Sequence, residues 1–86
     1  MKQLERNLKA LANGRRLKII RYLHRVKEAS VSSIAGEIQL SFKSTSRHLA
    51  VLSGAGVLEK KQEGLQMLHR LSSERHAIVS HVLKML

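Results

Sequence analysis

The 86 residues contain no cysteine and no proline, and Tyr22 and Phe42 are the only aromatics. This excludes disulfides, thiolate metal sites and thiol redox chemistry, and it leaves a core to be built from Leu, Ile, Val, Ala and Met, which suits packed helices. Sixteen Lys and Arg stand against six Glu and no Asp, a formal net charge of +10, so the partner favoured is a polyanion, either nucleic acid or an anionic membrane.

The positive charge is concentrated early: residues 1–27 hold nine Lys or Arg and one Glu, and residues 28–86 hold seven and five. Leu4, Leu8 and Leu11 recur at i, i+4, i+7 and predict a first helix over about 2–12. Asn13-Gly14 reads as a break, because both residues tolerate left-handed backbone. Beyond it, Leu17, Ile20 and Leu23 with Ile19, Tyr22 and Val26 give a broad apolar stripe for a second helix to about Val26. Lys18, Arg21 and Arg25 share its other face. Ser30 is placed to N-cap a short third helix, with Ile34, Ala35 and Ile38 on its apolar side.

After a turn at "QLS", Ser41 caps a fourth helix. On it Phe42, Thr45, Leu49 and Leu52, at i, i+3, i+7, i+10, are expected to face inward. Gly54 and Gly56 end it. "VLEKK" and "LQMLHRL" flank Gln62-Glu63-Gly64 as two strands and a hairpin turn. Ser72 is expected to cap a last helix with Glu74 in its first turn, where the dipole favours an acid. Ile78, Val82 and Met85 form one stripe of that helix, and Val79, Leu83 and Leu86 widen it.

Catalysis finds little to use. Ser44 and His48 are four apart on a helix, but no acid lies between Glu37 and Glu59 to orient that histidine as a triad requires. For a metal, His76 and His81 are five apart, where i, i+4 would suit chelation. "RRLKIIRYLHRVK" is cationic and amphipathic enough to lie on anionic lipid, yet its apolar side is what the other helices need for a core. No run approaches the ~18 apolar residues of a membrane span, and "MKQLERNLKAL" has no apolar signal-peptide region. The chain is therefore expected to be cytoplasmic, without membrane, metal or cofactor.

Nucleic acid remains. Two short helices joined by a tight turn, the second rich in donors, form a helix-turn-helix pattern whose second helix enters the major groove. Lys43, Ser44, Ser46 and Arg47 are expected to face outward and read bases, because Arg and Lys pair with guanine O6 and N7 and hydroxyls serve bases or phosphates. Ser41 and Thr45 would assist near the backbone, Lys60, Lys61 and Gln62 would hold flanking phosphates, and Arg15 and Arg16 would add phosphate contacts at a helix start.

"LKALANGRRLKIIRYL", "EASVSSIAGEI", "LSFKSTSRHLAVLSGAGVLE" and "EGLQMLHRLS" together resemble the arsenical-resistance-repressor (ArsR) family of winged helix-turn-helix regulators over roughly residues 8–73. The most specific part is "SRHL-x-VL-x-x-AG" followed by a Glu-Gly wing. The resemblance implies a homodimer, paired through its first and last helices, that represses transcription from a palindromic operator. Independent support for pairing is the apolar end "VLKML", a surface that would be exposed on a monomer. Leu83, Leu86 and Val79 are the expected dimer contacts on the last helix, with Leu4 and Leu8 opposite.

The departures from the family pattern are informative. Many metal sensors of the family carry "ELCVC" where this chain has "EASVS", so Ser30 and Ser32 stand in place of thiolates and are poor ligands for soft metals. Glu74, His76 and His81 do not match the family's other metal pattern on the final helix. Phe42 replaces a common glutamine, and Asn13-Gly14 replaces a common Asp-Pro.

The expected architecture is mainly α with a small β hairpin: a dimeric winged helix-turn-helix ordered α-α-α-α-β-β-α. Residues 1–86 would form one domain, with the helix-turn-helix at about 30–55, the wing at about 57–71 and dimerisation helices at about 2–12 and 73–86. The expected partners are double-stranded DNA and a second copy of the chain, with no evident small-molecule or metal effector. The rival functions are a non-specific architectural nucleic-acid-binding protein and a winged helix used for protein association.

Overall fold

Capping side chains set most of the element boundaries. In the computed structural model, which describes residues 1–86, the chain runs α1 (Lys2–Leu11), α2 (Gly14–Val26), β1 (Glu28–Ser30), α3 (Val31–Ile38), α4 (Phe42–Gly54), β2 (Leu58–Glu63), β3 (Gln66–Leu71) and α5 (Ala77–Met85). The five helices and the hairpin follow the expected order, and β1 is an additional strand.

The break between α1 and α2 is made differently from the expectation. Asn13 is extended (φ −159°), not left-handed, and its Oδ1 accepts from the N–H groups of Arg15 and Arg16 at 3.0 and 3.1 Å. Two of the donors left over at the start of α2 are thereby satisfied. Ser30 and Ser41 cap α3 and α4 as expected, accepting from Ser33 N–H and Ser44 N–H. Between α3 and α4, Gln39 takes the left-handed conformation (φ 55°), and Leu40 N–H reaches back to Ala35 O at 3.0 Å. That closure satisfies end carbonyls and turns the chain sharply into α4.

Strands β1 and β2 flank β3, both antiparallel to it, with Glu28 opposite Arg70 and Lys60 opposite His69. Because strand side chains alternate, Ala29, Leu58 and His69 turn to the body and are buried, while Glu28, Glu59, Lys61, Glu63 and Arg70 share the other face.

The last helix begins later than the sequence suggested. Ser72 Oγ accepts from Glu74 N–H within a turn, Glu59 Oε1 accepts from Ser73 N–H, and Arg75 donates to Ser72 O. These bonds hold the segment after β3 against the sheet, and α5 starts at Ala77 with His76 Nδ1 accepting from Ile78 N–H.

The core gathers Ile19, Ile20 and Leu23 of α2, Ile34 of α3, Leu49 and Leu52 of α4, Val57 and Val79. Val79 is 0% exposed, so it belongs to the fold of a single chain and is withdrawn from the expected dimer contacts. Of the others, Leu8 and Leu86 are exposed, whereas Leu4 and Leu83 are half-buried. Met85 joins them as an exposed apolar side chain at the end of α5. No helix is long and apolar enough to cross a membrane.

Candidate nucleic-acid interface

Helix α4 divides cleanly by its period of 3.6 residues. Thr45, Leu49 and Leu52 are buried. Lys43, Arg47, Ala50 and Gly54, spaced i, i+4, i+7, i+11, form the opposite and exposed face. Neither Lys43 nor Arg47 has an ion-pair or hydrogen-bond partner within the chain, although Glu5, Glu28, Glu37, Glu59 and Glu63 are all paired to cations elsewhere. Ala50 and Gly54 add almost no side-chain bulk, so this face presents two long cations beside a shallow surface. The sequence reading missed both small residues, although the same i+7 and i+11 spacing would have found them.

Three expectations on α4 are corrected. Thr45 is 0% exposed; its place on the inward stripe puts it beneath the helix, where it cannot touch DNA, and its Oγ1 has no hydrogen-bond partner. Phe42, expected inward, is 60% exposed, because as the first helical residue it precedes the turn that meets the core. Ser46 is half-buried and lines a cleft of about 250 Å³ between α4 and the sheet, together with Val31, Leu49, Ala50, Lys60, Met67 and His69. Ser44 is half-buried on the other flank, and the Ser41 hydroxyl remains exposed while capping the helix.

Behind α4 the chain is braced by Arg16. Its Nε donates to Ala10 O at 2.6 Å, and its Nη1 lies 3.3 Å from His48 Nδ1. A guanidinium only donates, so His48 Nδ1 is the acceptor and the ring proton sits on Nε2. Burial, and then the charges of Arg16 and Arg15, hold the His48 pKa below 6.5, which keeps the ring in this accepting form. Arg16 thus ties α1, α2 and α4 together and is not free for phosphate, whereas Arg15 is exposed and makes no side-chain bond. Ser44 and His48 make no hydrogen bond to each other, since the imidazole is turned to Arg16.

The wing residues also separate. Lys61 is shared between Glu28 at 4.0 Å and Glu63 at 3.8 Å, and Gln62 Nε2 donates to Gly64 O at 2.8 Å within the turn. Gly64 has φ +61° there, a conformation glycine takes without strain. Lys60 alone is unpaired, and it lies on the sheet face that looks toward α4. Across from it His69 is 4% exposed with an unpartnered Nδ1; burial, and then the Lys60 charge, lower its pKa from 6.5. No group of three or more His, Asp or Glu side chains converges anywhere in the chain.

A capped helix-turn-helix followed by a hairpin, with an acid-free outward helix face, defines a winged helix-turn-helix of the transcription-regulator class. The family model described as bacterial regulatory protein, arsR family, matches residues 13–60. The chain belongs to the ArsR family, and it lacks the family's cysteine box.

Among curated relatives, it is similar to the HTH-type transcriptional regulator Rv0324 of Mycobacterium tuberculosis, with 36% identity over 84% of this chain and 31% of that protein. It is also similar to the transcriptional activator HlyU of Vibrio cholerae, with 38% identity over 77% of this chain and 60% of that protein. The chain therefore spans under two thirds of either relative. Among solved structures, the homodimeric winged helix-turn-helix DNA-binding domain of Mycobacterium bovis Mb0332 superposes with a TM-score of 0.82 at 31% identity, covering 98% of this chain and 74% of that one. The transcriptional repressor PagR of Bacillus anthracis gives a TM-score of 0.84 at 26% identity, covering 98% and 92%.

Proposed function

We propose that the chain acts in the cytoplasm as a homodimeric, sequence-specific regulator that binds a palindromic operator in double-stranded DNA and represses by occluding a promoter. The observation that carries this reading is the acid-free outer face of α4, where Lys43 and Arg47 stand free of internal partners. In a major groove, Arg47 pairs with guanine O6 and N7, and Lys43 reaches a neighbouring guanine or phosphate. Phe42, exposed at the entrance of the helix, packs on a thymine methyl, which only the major groove displays. Ser44 and Ser46 line the flanks. Phosphates are held by Lys60, Arg15 and the Ser41 hydroxyl, with Lys61 and Gln62 shaping the wing.

Pairing is supported by the exposed apolar side chains of Leu8 on α1 and of Met85 and Leu86 at the end of α5, with Leu4 and Leu83 of the same two helices half-buried. It is supported further by the description of the Mb0332 domain as homodimeric. Two α4 helices related by a two-fold axis reach major grooves about 34–36 Å apart, which dictates a palindromic site. The PagR relative is named a repressor and HlyU an activator; repression is the outcome here when the operator overlaps the promoter.

Selection from random duplexes with the purified protein, with and without Zn²⁺, tests the reading. An enriched palindrome, bound equally in both arms, supports it. Salt-sensitive binding without enrichment makes the chain an architectural protein, and absence of salt-sensitive duplex binding makes it a protein-interaction module. A large Zn²⁺-dependent loss of binding overturns the absence of a metal effector.

A further inference from the structure

Helix α2 carries a second cationic face besides that of α4. Lys18, Arg21 and Arg25 stand at i, i+3, i+7 on α2, opposite its buried Ile19, Ile20 and Leu23. With Tyr22 of α2 and Glu37 and Ile38 of α3 they line a half-open, mostly polar cleft of about 380 Å³. Arg25 lies over the Tyr22 ring, 5.4 Å from its centroid, and pairs with Glu37 at 3.6 Å.

The cleft is lined by none of the residues of the outer α4 face. Helix α4 packs on the buried side of α2, where Arg16 meets His48. Lys43 and Arg47 then sit roughly a third of a turn further around α4, away from that contact. The two cationic sets therefore share no residue: one lies on the outer face of α4, the other on α2 where it meets α3.

Its chemistry is that of a small anion site with an aromatic wall. Lys18 and Arg21 have no internal anion, and both are donors only, matched to phosphate oxygens. The Tyr22 ring and the Ile38 side chain supply an apolar side, and Arg25 can stack on a planar group as it stacks on Tyr22. Glu37, paired with Arg25, is the single carboxylate of the lining and can still accept from a ribose hydroxyl or an exocyclic amine. We propose that this cleft binds a small phosphate ester carrying a planar ring, of the nucleoside monophosphate class, through residues distinct from those of the outer α4 face. Because Glu37 and Ile38 belong to the first helix of the helix-turn-helix, an occupant there touches the element that positions α4.

The test uses the full chain and calorimetric titration of adenosine and guanosine monophosphates, ribose 5-phosphate and inorganic phosphate, with ¹H–¹⁵N shift mapping. Two double variants of exposed residues separate the surfaces: K18Q/R21Q empties the cleft of unpaired cations, and K43Q/R47Q does the same for α4. Saturable binding of at least one nucleotide is expected, with shifts at α2 and α3 and affinity reduced about tenfold or more in K18Q/R21Q, as expected for lost charge-assisted contacts. Affinity is expected to be unchanged in K43Q/R47Q. Ribose 5-phosphate and inorganic phosphate are expected to bind several-fold more weakly for want of a ring to stack. The proposal is overturned by no saturable nucleotide binding, by shifts that map to α4 and the wing, by loss of affinity in K43Q/R47Q, or by inorganic phosphate binding as tightly as the nucleotides.

Discussion

Lys60 and Lys61 are neighbours in sequence and opposites in circumstance. Lys61 points to the outer face of the sheet, where Glu28 and Glu63 neutralise it and the Glu59–Arg70 pair, at 2.7 Å, adds a second compensated charge. Lys60 points toward α4 and has no anion. The outer face of α4 resembles Lys60's surroundings: Lys43 and Arg47 are exposed and the helix contains no acid. Net charge alone says that the chain favours polyanions; the strand alternation and the helix period decide which cations are free to meet one.

The largest effect is expected where the free cations meet bases. Arg47→Ala should cost about 1–3 kcal/mol of discrimination at one base position, measured by comparing affinities for the selected operator and single-base variants. An equal loss on specific and random duplexes would remove Arg47 from base reading and leave it as a phosphate contact. The same measurement on Thr45→Val gives the reverse pattern. Valine has nearly the same shape and removes a buried hydroxyl without a partner, so stability in urea should rise by about 1 kcal/mol while operator affinity stays unchanged. A large loss of affinity would restore Thr45 to the interface.

A pH series probes the buried side of the wing. The pKa of His69 is lowered first by burial and then by Lys60, and that of His48 by burial and then by Arg16 and Arg15. Below the ordinary value of 6.5 the unfolded chain therefore takes up protons that the folded chain resists. Stability is accordingly full above about pH 6.5 and falls as pH drops toward the lowered folded values. Urea titrations at about pH 7.5 and pH 5.5 should show this decline, and His69→Leu should flatten it in part. A decline unchanged in that variant would place the titrating group elsewhere.

Much of this arrangement is legible in the sequence because helix signals are local. The stripes of α1 and α2, the caps Ser30 and Ser41 and the Glu-Gly turn of the wing all lie within a few residues of the structure they specify. What escapes is non-local. β1 is three residues long, too short to show alternation, and exists only because β3 pairs with it far along the chain. The late start of α5 depends on Glu59 capturing Ser73 N–H across the sheet, so Ser72 looks like a helix cap and serves a turn instead. Thr45 and Phe42 show the limit of periodicity at a helix start. Both fit one stripe, yet only Thr45 lies deep enough to meet the core.

The finest distinction is between the two lysines themselves. Removing Lys60 should weaken binding to all duplexes alike and reduce the salt slope by about one, since its charge has no internal competitor. Removing Lys61 should change duplex affinity much less, because two glutamates already hold that ammonium, and its loss leaves Glu28 and Glu63 without that partner. The cost in stability should stay within about 1 kcal/mol, as for other exposed ion pairs. Affinities of Lys60→Ala and Lys61→Ala measured across a salt series decide the matter. Equal slopes for the two variants would show that internal ion pairing does not determine which wing cation meets the duplex.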